Sequence, residues 1–245
     1  MYICIAGKNE CAVNALKYLL LRKFKKSNIL VLPNNNDKGA DSWQPSLKKF
    51  AKKNNIKIIK IKNLYSLKRL IFFSIEYDKI INIKNFKSHN LFNFHFSLLP
   101  KYRGCHTNFL QIYKGEKFSG VTLHKIDSGI DTGDIIDQIK FKIKINDTAL
   151  DNYKKLMKFS TKLFKKNLNN IINNKYNLRK QILSNGRYFN RKCVKYKNMV
   201  KIIMNKSSLK NHNRIRSLIF PAYQLPLVNG VKVLKSVYKN KKIYL

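Results

Sequence analysis

Two hydrophobic rhythms alternate along the first 85 residues. Residues 2–6 are a short apolar run that stops at Gly7-Lys8-Asn9-Glu10 and predicts a strand; Ala12, Leu16, Leu19 and Leu20 then fall on one stripe of a helix. A second apolar run at 29–32 predicts a strand, and Pro33 with the Asn34–Gly39 stretch predicts a polar loop. The same reading gives a helix over 46–54, a strand over 56–61, a helix over 64–73 and a short strand over 79–83. Strands alternating with helices argue for an α/β fold around a parallel sheet. In such sheets ligands sit beyond the carboxyl ends of the strands. Gly7-Lys8-Asn9 occupies that location, where backbone at a helix N-terminus can receive a phosphate; a steric reason for the glycine explains it equally well.

Further along, the pattern predicts a strand at 91–96, a helix at 108–114, a strand at 120–126 and a paired strand at 135–145. A long helix at 149–169 turns Leu150, Tyr153, Leu156 and Leu163 inward. From about residue 176 the texture changes: Gly186-Arg187-Tyr188-Phe189 breaks the rhythm and one more helix covers 208–219. Val228-Asn229-Gly230-Val231 then signals a hairpin, since Asn-Gly fits a type I′ turn. The Asn/Lys-rich stretch 167–177 reads as a helix end and linker. The expected organisation is a main domain over 1–175 and a small α+β appendage over 176–245 that ends in a β-hairpin.

Composition changes this picture little. With 245 residues, 44% of them hydrophobic, the chain can bury a sizeable core, and no apolar run approaches the ~20 residues that span a bilayer. The first residues read as a strand rather than a charged, cleavable signal, and Cys4, Cys11, Cys105 and Cys193 form no CxxC pair or metal-type spacing. A reduced cytoplasmic setting with no metal is the simplest expectation. The formal net charge of +39 invites a polynucleotide partner. Yet Lys, Asn and Ile are inflated on plain helices and strands alike, and no RNA-recognition or helix-turn-helix motif is present. The expectation is no nucleic-acid partner, and an anionic small substrate benefits from the same field.

The candidate chemistry lies elsewhere. Asn93 and His95 are two apart on a predicted strand, so both side chains leave one face. An amide beside an imidazole can polarise a carbonyl and manage a proton. Downstream, Asp127-Ser128-Gly129-Ile130-Asp131-Thr132-Gly133-Asp134 follows a strand directly and brings carboxylates that can orient a histidine. By pattern alone, a satisfied structural histidine beside a polar turn explains these residues equally well. His89 and His212 sit in polar stretches and read as solvated, and His124, on a strand face, reads as structural.

The two segments together are more specific. Asn-x-His-x-Ser-Leu-Leu-Pro-x-Tyr-x-Gly, followed by Gly-Val-Thr-Leu-His-x-Ile-Asp-x-Gly-Ile-Asp-Thr-Gly-Asp, resembles the formyltransferase superfamily over residues 78–140. The resemblance implies a Rossmann-like catalytic domain, N10-formyltetrahydrofolate as the one-carbon donor, and a triad of Asn93, His95 and Asp131. It implies that the pterin is held by backbone of Ile80, Ile81, Asn82, Ile83 and Lys84 and of Asp127, Ser128, Gly129 and Ile130. Asn93 is then expected to donate to the oxyanion, His95 to act as base, and Asp131 to fix the imidazole.

The acceptor is weighed on further segments. Methionyl-tRNA formyltransferases carry Trp-Arg-Gly-Ala-Ala-Pro-Ile where this chain reads Tyr102-Arg103-Gly104-Cys105-His106-Thr107-Asn108, and about 70 residues after the linker are few for their tRNA-binding barrel. Glycinamide ribonucleotide enzymes share a Gly-x-His-Thr element, here Gly104 to Thr107, but lack such a tail. Gly7-Lys8-Asn9, Trp43-Gln44-Pro45-Ser46-Leu47 and the stretch from Ile215 to Pro226 resemble nucleotide-sugar N-formyltransferases acting on dTDP-linked amino-dideoxyhexoses. That resemblance implies Lys8 and Arg216 on a diphosphate and Tyr223 on thymine, packing of Tyr223 in its own hairpin being an equal alternative. Asn9, Tyr102, Gly104, His106 and Thr107 complete the implied substrate set. It also implies a homodimer and a part in surface-glycan (O-antigen) synthesis. The C4 amine is the expected acceptor, most simply on dTDP-4-amino-4,6-dideoxyglucose, with a C3 amine or a methionyl-tRNA-like substrate as alternatives.

Overall fold

A run of six consecutively buried residues, Leu70–Ile75, forms the middle strand of a seven-stranded sheet. The computed structural model describes residues 1–204 and 206–245. In chain order the elements are β1 (Tyr2–Gly7), α1 (Asn9–Leu21), β2 (Ile29–Pro33), α2 (Leu47–Lys53), β3 (Lys57–Ile58), β4 (Leu70–Ile75) and β5 (Leu91–His95). They continue as β6 (Arg103–Gly104), α3 (Thr107–Tyr113), β7 (Phe118–Lys125), β8 (Ile135–Lys142), α4 (Ala149–Ile172), β9 (Tyr188–Phe189) and α5 (Tyr196–Met199). The tail holds β10 (Lys201–Ile202), α6 (Leu209–Leu218), β11 (Leu227–Val228), β12 (Val231–Lys232), β13 (Val237–Lys239) and β14 (Lys242–Tyr244).

The sheet order is β3-β2-β1-β4-β5-β7-β8; β3 through β5 pair in parallel, and β7 joins β5 antiparallel. The expected α/β architecture is therefore present, in Rossmann order with its switch point between β1 and β4. Two expectations fail here. The helix over 64–73 is a 3-10 turn at Ile61–Leu64 followed by β4, and 79–83 holds no strand. Because β4 is covered on both faces, its apolar run has no alternation to distinguish it from a buried helix.

The chain divides into two compact units, of which the first comprises Met1–His95, Val121–Ile139 and Met157–Leu183. One face of its sheet carries Cys4, Ala6, Leu30, Leu32, Phe72 and Leu91 in an apolar cluster with Ile81 and Phe86. On the other face Phe73 stacks on Phe92 and meets Phe164 of α4 edge-on, at ring centroid distances of 5.7 and 5.1 Å. Ser46 caps α2 by accepting from Lys49 N–H, and its own hydroxyl donates to Asp37, which ties the 34–46 loop to the helix it precedes.

The second unit comprises Phe96–Gly120, Lys140–Leu156 and Ser184–Leu245. This differs from the expected boundary near 175, and the reason is apolar burial. Phe109 and Leu110 of α3 share a core with Ile215 and Leu218 of α6 and with Ile202, Val228 and Val233, so residues before the expected boundary complete the core of the tail. Asn229 and Gly230 take φ of 47° and 85° and close the β11–β12 hairpin as expected. His212 corrects another expectation: it is fully buried, its Nε2–H donating to Ile145 O (2.9 Å) while Nδ1 accepts from Ser236 Oγ (2.8 Å). Among the described residues no helix is long and apolar enough to cross a membrane.

Candidate active site

The period of β5 places Leu91, Asn93 and His95 on one face, and Leu91 belongs to the apolar cluster of that face. Antiparallel pairing sets Asn93 opposite His124 and His95 opposite Thr122, so two polar pairs from β5 and β7 share a surface. The loop between β7 and β8 returns Asp131 onto this surface. His95 Nδ1 lies 3.3 Å from Asp131 Oδ2, and Asn93 Nδ2 donates to Asp131 Oδ1 at 3.2 Å. The His95 and Asp131 side chains are 8% and 12% exposed, a setting in which their interaction is little screened by solvent. The structure thus brings together the three residues that the sequence singled out.

It also adds a fourth. His124 is 2% exposed; its Nδ1–H donates to Lys125 O (2.6 Å), which leaves Nε2 as an acceptor for Asn93 Nδ2 (3.1 Å). Nε2 stands 3.5 Å from Asp131 Oδ1, with the Asn93 amide nitrogen bridging the two acceptors. The opposite amide orientation would direct Asn93 Oδ1 at a lone pair and a carboxylate. One amide nitrogen therefore serves both His124 and Asp131, and one of those bonds must yield if Asn93 is to donate to an oxyanion. From sequence His124 reads as a structural residue on a strand face; with Thr122 it alternates along β7 and so shares a face with the residues that β5 presents.

The loop carrying Asp131 is closed from within. Asp127 accepts from Thr132 Oγ1 (2.7 Å) and Gly129 N–H (3.1 Å), and a Cβ at Gly133 would come 2.0 Å from Lys125 O. Ser128, Gly129 and Ile130 stay exposed as a result. The segment holding Ile80 to Lys84 lies between β4 and β5; Ile81 and Ile83 join Ile126, at the start of the Asp131 loop, in one apolar cluster. Ile80 is 78% exposed and Ile130 37%. Each loop therefore presents one exposed isoleucine, an apolar surface that suits the face of a fused heterocycle such as a pterin, whereas Ile81 is buried and the Asn82 and Ile83 carbonyls accept local main-chain bonds.

The other sequence-predicted contacts fare unevenly. At the end of β1, Asn9 Nδ2 donates to Glu76 Oε2 (3.0 Å) and Glu10 N–H donates to Gln44 Oε1 (3.0 Å), so the start of α1 has internal partners; Lys8 is half-buried beside it. In the second unit Tyr102 is buried, stacks on Phe189 and donates to Glu116 Oε1 (2.7 Å), an arrangement that raises its pKa through burial and then through the carboxylate. Gly104 takes φ of 89° with Phe189 O in the place of a Cβ, and Thr107 is buried with its hydroxyl on Phe96 O. Arg216 is 2% exposed and donates to Asn213 Oδ1 (2.8 Å), Lys144 O (3.3 Å) and Asp147 O (2.7 Å); burial lowers its pKa to about 10. The expected contact of Arg216 with a diphosphate is therefore corrected: the guanidinium is an internal strut, and Tyr102, Gly104 and Thr107 likewise have structural uses. His106 is half-buried, its Nε2–H on Arg191 O (2.9 Å). Tyr223, 62% exposed and tilted against Phe220, keeps a ring open to solvent.

Comparison with known proteins gives this cluster a family. The formyl transferase family profile matches residues 70–168, which include all four clustered residues. The crystal structure of WlaRD, a sugar 3N-formyl transferase in the presence of dTDP and 5-N-formyl-THF, superposes with a TM-score of 0.94 at 52% identity, over 98% of this chain and 87% of that one. The N-formyltransferase from Helicobacter canadensis, in complex with folinic acid and dTDP-3-aminofucose, gives 0.93 at 50% identity, over 98% and 89%. The bifunctional polymyxin resistance protein ArnA of Wigglesworthia glossinidia brevipalpis is 40% identical over 143 residues, 54% of this chain and 22% of that protein. The chain spans 22 and 62% of the first two curated relatives it matches. On the extent of these matches, the chain belongs to the formyltransferase family.

Proposed function

We propose that this chain transfers a formyl group from N10-formyltetrahydrofolate to the amine of a dTDP-linked amino-dideoxyhexose. The observation that carries the reading is the cluster of Asn93, His95 and Asp131 on one buried face, with His95 Nδ1 turned to Asp131 Oδ2. That contact assigns the Nδ1 proton to the carboxylate side and leaves Nε2 to take a proton. An amine attacks a carbonyl only when neutral, so a base at that position is what the chemistry needs. The donor, when bound, supplies an electrophilic formyl carbon. Asn93 offers an N–H to the formyl oxygen by releasing one of its two resting partners, an effect worth about 3 kcal/mol for a single donor in a comparable site. Lys8, half-buried at the end of β1, is the cation proposed for the diphosphate.

The C3 amine is favoured over the expected C4. The two solved structures at about half identity are described as a sugar 3N-formyl transferase and as a complex with dTDP-3-aminofucose. A screen of dTDP-3-amino, dTDP-4-amino and UDP-amino sugars, glycinamide ribonucleotide and methionyl-tRNA, read by tetrahydrofolate release, tests the reading. Turnover is expected with the dTDP-3-amino sugars. His95→Ala is expected to remove turnover while leaving the dTDP Kd within about twofold, since uniform binding and chemistry are separable. Wild-type turnover in that variant would sink the triad assignment.

A further inference from the structure

We infer that Gln181 is a positioning residue for Asp131, held over the active-site loop by a strap that begins where α4 ends. The inference rests on the triad reading above. Gln181 Nε2 donates to Asp131 O (3.1 Å) and to Gly133 O (2.7 Å), so one side-chain amide grips both ends of the turn that presents the carboxylate. That turn needs gripping. Asp131 has φ of 55°, a left-handed conformation that a side-chain-bearing residue adopts at a cost and keeps only where its surroundings impose it.

The strap is itself anchored. Arg179 and Ile135 exchange two main-chain hydrogen bonds (2.8 and 2.9 Å), Arg179 Nη2 donates to Gln138 Oε1 (2.7 Å), and Tyr176 meets Phe92 edge-on at 5.8 Å. Gln138 in turn donates to Thr122 Oγ1 (2.7 Å), opposite His95 across the β5–β7 pair, so the strap and the triad share one connected framework. Gln181 Oε1 is buried with no hydrogen-bond partner among the described residues. The amide stays in this orientation because the alternative would set that oxygen against two carbonyl oxygens. Asp131 must reach both His95 and Asn93, and a misplacement of about 1 Å in such a constellation costs about a hundredfold in rate.

The test is Gln181→Glu, nearly isosteric, which removes both N–H donors and, when ionised, sets a carboxylate against the two carbonyls. At pH 8 kcat is expected to fall by about tenfold or more with the nucleotide-sugar KM within about twofold. A protonated glutamic acid regains one donor, so the ratio of variant to wild-type kcat is expected to rise as pH is lowered to about 6. Amide hydrogen exchange over residues 127–134, measured without any substrate, is expected to quicken in this variant and in Gln181→Met, which removes the polar group without adding charge. Unchanged kcat in Gln181→Glu, a pH-independent ratio, or unchanged exchange in both variants each overturns the proposal. A wild-type chain that releases no tetrahydrofolate while the exchange still quickens would defeat the functional reading and leave the strap standing.

Discussion

At Asn93 the side-chain amide is held from two sides, by His124 Nε2 and by Asp131 Oδ1. His124 Nε2 accepts from this amide because the other ring nitrogen donates to Lys125 O. Removing the acceptor should let the amide turn. His124→Leu is expected to lower kcat by up to about tenfold, the worth of one net hydrogen bond, with the nucleotide-sugar KM unchanged. His124→Gln, whose Oε1 can accept, is expected to recover part of it. Steady-state kinetics on both variants decides, and a Leu variant as fast as wild type would remove His124 from the machinery. At this scale the sequence was informative about Asn93 and His95, because a period of two needs no tertiary information. It was silent about Gln181, which stands in a segment without periodicity and acts through its side-chain nitrogen on a backbone 48 and 50 positions away.

Among the elements, short apolar runs bounded by turn residues and helices with an apolar stripe were legible, and the run at 64–75 was not. Leu70–Ile75 is apolar on both faces because β1 and β5 flank it and both faces are covered. The 208–219 helix was read correctly in extent, as α6 with Ser208 accepting from Asn211 N–H at its start, but the direction of Arg216 was not. Arg216 turns inward to three acceptors in its own unit. Arg216→Ala should leave those acceptors buried and unmatched, a loss of about 2–4 kcal/mol. For a chain of this size that corresponds to a Tm lower by roughly 5–15 °C in calorimetry. The dTDP Kd should not move for the folded fraction; a specific loss of nucleotide binding at constant Tm would instead return Arg216 to the diphosphate.

At the scale of the whole molecule, His212 makes one pH-dependent contribution to stability. Burial, with Arg216 nearby, holds its pKa below the ordinary histidine value, although the bond to Ile145 O works the other way. The unfolded chain therefore binds a proton near pH 6.5 that the folded chain takes up only at lower pH. The stability due to neutral His212 is complete above about pH 6.5 and is lost as pH falls toward the depressed folded value. Tm measured from pH 7.5 down to 5 should decline below that point, and His212→Gln should flatten the decline. An identical slope in both proteins would mean that other groups govern it.

Local pattern by itself determined β1, α1, β2 and the long helix α4, the shared face of Asn93 and His95 and the Asn229-Gly230 turn, because each depends on neighbours within a few residues. The tertiary structure decided the rest. Antiparallel register set His124 across from Asn93, a return loop laid Asp131 over both, and a strap from beyond α4 reached that loop. Residues 96–120 joined the core of the tail because Phe109 and Leu110 found their apolar partners on α6. Register and apolar partnership between distant segments are settled by packing, and no periodicity records them.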